Sequence, residues 1–97
     1  MIIGAARVVL HLPEAHSLKE KRHVVKSIIA RAHNQFNVSA AEIEDQDLWQ
    51  RAVLGFAVVT NDGHHANEVI SSVVNFVESA TPQAEMTDYQ IDITPVL

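Results

Sequence analysis

Apolar and polar residues alternate along residues 2–12, Ile-Ile-Gly-Ala-Ala-Arg-Val-Val-Leu-His-Leu. Ala6, Val8, Leu10 and Leu12 share one side, and Ala5, Arg7, Val9 and His11 the other, which predicts a strand. From Ser17 the period changes. Leu18, Val25, Ile28, Ile29, Ala32 and Phe36 recur at three, four and seven residues, the stripe of an amphipathic helix over residues 17–36. Ser17 and Glu20 form a capping box in which the Ser17 hydroxyl accepts an early backbone N–H and Glu20 is expected to take the Ser17 N–H. Asn37 is the expected left-handed residue beyond the helix. Val38 to Ile43 reads as a short strand, Glu44 to Gln50 as an acidic loop, and Ala52 to Thr60 as a buried strand, apolar on both faces. Asn61-Asp62-Gly63 is a turn, and Asn61 or Asp62 can cap a second helix. Its stripe is Ala66, Val69, Ile70, Val73, Phe76, Val77 and Ala80, and Thr81-Pro82 ends it. Glu85 to Thr94 is a last strand, with Tyr89, Ile91 and Ile93 on one side and Asp88, Gln90, Asp92 and Thr94 on the other.

The order β-α-β-β-α-β predicts an α+β, ferredoxin-like split βαβ fold: a four-stranded antiparallel sheet with both helices on one face. Right-handed crossovers are expected to place the first and third strands in the centre, parallel to each other, with the second and fourth at the edges. At 97 residues the chain has room for one domain, residues 1–97. A chain of this length buries roughly 60–65% of its unfolded surface, enough to fold without staples. There is no cysteine, hence no disulfide framework and no thiolate chemistry, which fits a reducing cytoplasm. The apolar start is broken by Arg7 and makes a poor signal peptide. The longest apolar run, Ala52 to Val59, is far short of the ~20 residues that cross a bilayer, so no membrane is expected as a partner.

The predicted fold leaves one sheet face without helices. In the third strand Val53, Gly55, Ala57 and Val59 alternate with Leu54, Phe56 and Val58, so either set leaves an apolar open face, to which Ala5 and Val9 add. Such a patch is usually covered, and a homodimer is the expected state. The alternative is a monomer shielded by Arg7 and the polar residues of the last strand.

Charge changes the picture further. Five of the seven Lys and Arg residues, Lys19, Lys21, Arg22, Lys26 and Arg31, fall within 17–36 on a chain of net charge −5. Lys19, Arg22, His23, Lys26 and His33 form a second helical stripe, roughly 120° from the apolar one. The plain reading is a solvated face. The sharper one is a phosphate footprint made by Lys19, Arg22 and Lys26, with Lys21 as an added candidate. A net acidic protein does not coat nucleic acid generally, so any RNA contact is local. Trp49, the sole tryptophan, lies between Asp47 and Arg51 just before the third strand. It reads first as a lid over the end of the core. The second reading is an anchor for a partner protein or a base, with Asp47 and Arg51 beside it.

The six histidines show no helical pair with an acid partner, so no metal site and no cofactor are expected. Glu42, Glu44, Asp45 and Asp47 read as a solvated acidic tip rather than an acid–base pair. No phosphate-binding glycine loop or serine nucleophile elbow occurs, and no catalytic residue is assigned.

Two stretches, His11-Leu12-Pro13 running into Ser17-Leu18-Lys19-Glu20-Lys21-Arg22, and Gln46-Asp47-Leu48-Trp49-Gln50-Arg51-Ala52, resemble the YlxP-like family of small bacterial proteins. Phe36-Asn37-Val38-Ser39 and the Val-Val-Thr-Asn-Asp turn at 58–62 extend the resemblance over nearly the whole chain. It implies a ferredoxin-like fold in a bacterial cytoplasm. Members are often encoded near a translation initiation factor and ribosome-binding factor A, which implies a role in ribosome assembly or translation. The family brings no known activity and no catalytic residue. The leading expectation is therefore a non-enzymatic module that contacts ribosomal RNA or a ribosome-associated protein. The alternative is a dimeric small-ligand-binding or regulatory domain.

Overall fold

Leu12, Leu54, Ile28, Ile70 and Val73, each 1% exposed or less, come from a strand end, a central strand and both helices, and meet in one core. The computed structural model describes residues Met1–Leu97. Its elements are β1 (Ile2–His11), α1 (Leu18–Gln35), β2 (Ser39–Glu44), β3 (Arg51–Thr60), α2 (Gly63–Glu78) and β4 (Glu85–Pro95). They form a four-stranded sheet in the order β2-β3-β1-β4. The fold is ferredoxin-like.

The central strands are antiparallel, with Ala6 opposite Phe56 and Val8 opposite Leu54, not parallel as the crossover argument predicted. The reason is topological. Each crossover makes a pair parallel that is not adjacent, β1 with β2 and β3 with β4. The tight β2–β3 connection then reverses the chain, and β3 enters between β2 and β1 antiparallel to both.

The alternation in β1 and β3 sorts their residues as the pattern requires. Ala6, Val8, Leu10, Ala52, Leu54, Phe56 and Val58 join the core under the helices. Val53, Gly55, Ala57 and Val59 lie on the open face with Ala5, Arg7 and Val9. Val9 and Val53, paired across the strands, are nevertheless buried, whereas Val59 is exposed.

Helix caps depart from the expectation in two places. Ser17 accepts from the Glu20 N–H at 3.1 Å, as a capping box requires, but the Glu20 carboxylate accepts from His16, one residue earlier than Ser17. Helix α1 ends at Phe36 in an extended conformation, its N–H donated to the Ala32 carbonyl. Asn37 is not left-handed, because the chain passes straight into β2; the positive-φ residues are Asp45 and Leu97. Asp62 caps α2 by accepting from the His64 N–H.

Gly4 sits in β1 beneath α2. A Cβ there would lie 3.0 Å from Ile70 Cγ1 and Val58 Cγ1 and 3.3 Å from Ala66 Cβ. Alanine in a strand interior normally gains on glycine through reduced chain entropy. Here the crowding reverses the sign, and Gly4→Ala is expected to destabilise by about 1–2 kcal/mol. A urea midpoint equal to or above wild type would refute this.

Candidate functional site

The seven Lys and Arg side chains divide into two groups. Arg7 meets Glu44, Lys21 meets Glu42, and Arg51 meets Asp45. Arg31 donates to the Ala80 carbonyl at 2.6 Å and lies 5.5 Å from the centre of the Phe76 ring, tying α1 to the end of α2. The remaining three, Lys19, Arg22 and Lys26, have no carboxylate within salt-bridge reach. All three are exposed, with His23 and His33 on the same side of α1. Periodicity put them on one stripe because 3.6 residues per turn stack positions three and four apart.

Lys21 belongs to the other group. It is buried, 0% exposed, and is no part of the basic surface. One residue out of step with the stripe, it points inward beneath the loop joining β2 and β3. Its ammonium donates to the carbonyl oxygens of Asp45 (2.8 Å), Gln46 (3.1 Å) and Arg51 (3.2 Å). The Glu42 carboxylate lies 2.8 Å away. An ammonium has three donors, and the three carbonyls occupy them. Glu42 Oε2 therefore receives charge attraction but no well-aimed hydrogen bond.

Two long sequence stretches meet through this contact. Lys21 on α1 holds the loop at both its ends. Leu12 donates its N–H to the Gln50 carbonyl at 2.9 Å. The Gln50 amide donates to the carbonyls of Pro13 and Ala15, both at 3.2 Å. Inside the loop, Leu48 N–H donates to the Asp45 carbonyl and Arg51 Nε donates to the Asp45 carboxylate at 2.7 Å. Asp45 takes a left-handed φ of 57°, a conformation that Asp tolerates better than most residues.

The loop presents Leu48 and Trp49, each about half exposed. Trp49 is thus not a lid on the core. The core cluster closes without it. Trp49 instead borders a hollow with His11, Asp47, Leu48, Gln50 and Arg51. A second hollow, bordered by Glu14, Ser17, Lys19, Glu20, His23 and Gln83, lies beyond the 13–15 segment that Gln50 holds.

The acidic hairpin is exposed at Glu44 and Asp47, as a solvated tip would be, but it is also ion-paired. Glu42, Glu44 and Asp45 each take one cation, and only Asp47 among its carboxylates has no ion-pair partner. A bulge at Ile43 makes this pairing geometry available. Residues two apart on a strand normally share a face. The extra residue sends Glu42 towards α1 and Glu44 to the open face. Glu44 there reaches Arg7 across β3, with Nε to Oε1 at 3.1 Å and Nη2 to Oε2 at 2.6 Å. Ile43 packs over Gly55 beside them.

The hydrogen bonds from Arg7, and then its charge, outweigh desolvation and hold the Glu44 carboxyl below the ordinary carboxylate range. A depressed folded-state pKa adds stability above the unfolded value, which is lost as pH falls through the folded one. Glu44→Gln is therefore expected to be slightly less stable than wild type at neutral pH. The gap should close in acid below the carboxylate range, as urea midpoints will show. A gap that stays constant would contradict the assignment.

His64 Nε2 lies 2.7 Å from Glu68 Oε1 on the exposed first turns of α2. No three His, Asp or Glu side chains converge closely enough to hold a metal ion. No helix is long and apolar enough to cross a membrane.

Residues 3–91 match the family model described as "Protein of unknown function (DUF503)". The chain is 41% identical over 86 residues to the uncharacterized protein YlxP of Bacillus subtilis (strain 168), covering 89% of this chain and 92% of that one. Among solved structures, the de novo designed protein LFR1 1 with ferredoxin fold superposes with a TM-score of 0.57 at 15% identity, over 97% of this chain and 84% of that one. The de novo designed protein Foldit4 gives a TM-score of 0.55 at 8% identity, over the whole of both chains. At those identities the designed proteins attest the fold alone. The family match and the YlxP relationship, each spanning most of the chain, place this protein in the DUF503, YlxP-like family.

Proposed function

We propose that this protein is a non-enzymatic binding module that holds ribosomal RNA against the exposed face of α1 through Lys19, Arg22 and Lys26. One observation carries the reading. On a molecule of net charge −5, the three cations without an intramolecular partner stand together on one helix. Unpaired like charges at three- and four-residue spacing repel one another, mildly destabilising the helix that carries them. Phosphates relieve that repulsion and release counterions as they bind. The three residues span roughly 10 Å of helix axis, enough to meet more than one phosphate of a strand. The choice of ribosomal RNA among polyanions rests on the translation genes beside which family members are often encoded. The setting would be the bacterial cytoplasm.

Titration of labelled small-subunit ribosomal RNA fragments tests the reading, with the Lys19→Ala/Arg22→Ala/Lys26→Ala variant as control. Salt-sensitive binding that the variant loses supports it. Binding no stronger than to a nonspecific polyanion returns the helix to a solvated face.

A second reading, a dimeric small-ligand or regulatory module, is favoured by a shallow trough of about 690 Å³ on the open sheet face. Ala5, Ala41, Ile43, Gly55 and Ala57 line it. Sedimentation of a monomer across micromolar concentrations would remove the dimer from that reading.

A further inference from the structure

The hollow beside Trp49 has an unusual make-up for an exposed aromatic. An indole that anchors a protein partner typically stands out as a knob and enters an apolar pocket on the other side. Trp49 forms instead one side of a shallow, open depression in which four of the six bordering residues, His11, Asp47, Gln50 and Arg51, are polar. The Gln50 amide nitrogen is spent on Pro13 and Ala15, so its free atom is the carbonyl oxygen, an acceptor. Asp47 has no ion-pair partner and offers carboxylate oxygens, also acceptors. Arg51 Nε is turned to Asp45, which leaves its two Nη groups as donors. The hollow thus sets a π-face beside a free carboxylate, a free amide oxygen and guanidinium donors.

Its walls are also held in place before anything binds. Lys21, Gln50, Arg51 and the Leu48 N–H each tie the loop down by a hydrogen bond. Ordering the loop therefore adds little to the cost of binding. The Gln50-held 13–15 segment separates the hollow from the groove in which Lys19 and His23 stand beside Glu14 and Glu20. A strand whose phosphates lie along Lys19, Arg22 and Lys26 can turn a nucleotide over that segment.

We infer that this hollow takes an unpaired guanine base, stacked on the Trp49 indole with its N1–H and 2-amino donors towards Asp47, from the RNA strand held by α1. Guanine matches the Asp47 carboxylate because its Watson–Crick face puts two donors side by side, and its O6 and N7 acceptors suit the free Nη groups of Arg51. Uracil offers a single donor there, and adenine a single amino group. Duplex RNA keeps its bases stacked and cannot fill the hollow, so recognition is of single-stranded segments. The inference rests on the RNA reading above, and its test separates the two.

Trp49 is the sole tryptophan, so its fluorescence reports on the hollow directly. The probes are a short oligouridine, the same oligomer with one central guanosine, and a hairpin in which that guanosine is paired. The expected result is quenching and about tenfold tighter binding for the unpaired guanosine oligomer than for oligouridine. Trp49→Ala should abolish that preference and Trp49→Phe keep part of it. Asp47→Asn should bring the guanosine oligomer and its adenosine counterpart close to equal. Circular dichroism checks that each variant is folded. If all probes bind alike without quenching, yet binding is lost in the Lys19/Arg22/Lys26 alanine variant, the RNA reading stands and the base site falls. If no probe binds even at low salt, both fall. If Trp49→Ala loses binding to intact small subunits without any base preference among oligomers, the loop serves a protein contact and the inference is overturned.

Discussion

Lys21→Met is expected to cost about 3–5 kcal/mol of folding stability, the range for removing one side of a buried ion pair. The methionine fills much of the same volume, so cavity formation is not the main loss. Four groups lose the ammonium instead: the Glu42 carboxylate and the carbonyls of Asp45, Gln46 and Arg51, of which the Asp45 carbonyl keeps the Leu48 N–H. Glu42 is only 15% exposed, so water can compensate it little. For a domain of this size the thermal midpoint should fall by on the order of 20 °C. Adding Glu42→Leu should restore part of the loss, because the orphaned charge is removed with its partner. The carbonyls still lack the ammonium in the double variant, so recovery is incomplete. A midpoint within a few degrees of wild type in Lys21→Met would show that the ammonium is not holding the loop.

The Lys19→Ala/Arg22→Ala/Lys26→Ala variant should behave in the opposite way, unchanged or slightly raised in stability and severely weakened in RNA binding. Its three side chains contact no carboxylate. Their removal relieves like-charge repulsion worth roughly 0.2–0.5 kcal/mol per pair, and alanine is the better helix former. Lys19 also stands in the first turn, where the helix dipole disfavours a cation. Loss of binding in this variant therefore cannot be charged to unfolding. For wild type, three phosphate contacts give a slope of log affinity against log salt of roughly −2 to −3. In the variant the slope should approach zero. Equal slopes in the two proteins would place the RNA contacts, if any, elsewhere.

The fold was legible because each element carried its own period. Ala6, Val8 and Leu10 alternate cleanly, and β1 forms where they do. The direction of β3, antiparallel to β1, follows from connectivity and not from pattern. The site was legible in part. Lys19, Arg22 and Lys26 share a face by helical arithmetic alone, and they do so in the structure. Lys21 was harder, since nothing local marks a lysine as buried; its fate is decided by carbonyls 24 to 30 residues away. One signal was present: Lys21 precedes Val25 and Ile28 at helical spacing, on the apolar stripe and off the basic one. Val24, also buried, was missed because it sits at the edge of that stripe. The ion pairs of the acidic hairpin depended on the bulge at Ile43, which alternation cannot reveal.

The most direct test of the central claim, that the unpaired cations of α1 and the loop clamped beside them form one binding surface, is a two-dimensional amide NMR titration with a small-subunit ribosomal RNA fragment. Perturbed resonances are predicted to cluster in residues 17–26 and 45–51 and to include the single indole N–H of Trp49. Ala5, Ala41 and Ala57 on the open sheet face should stay unshifted. Shifts centred on that sheet face, with α1 silent, would contradict the account.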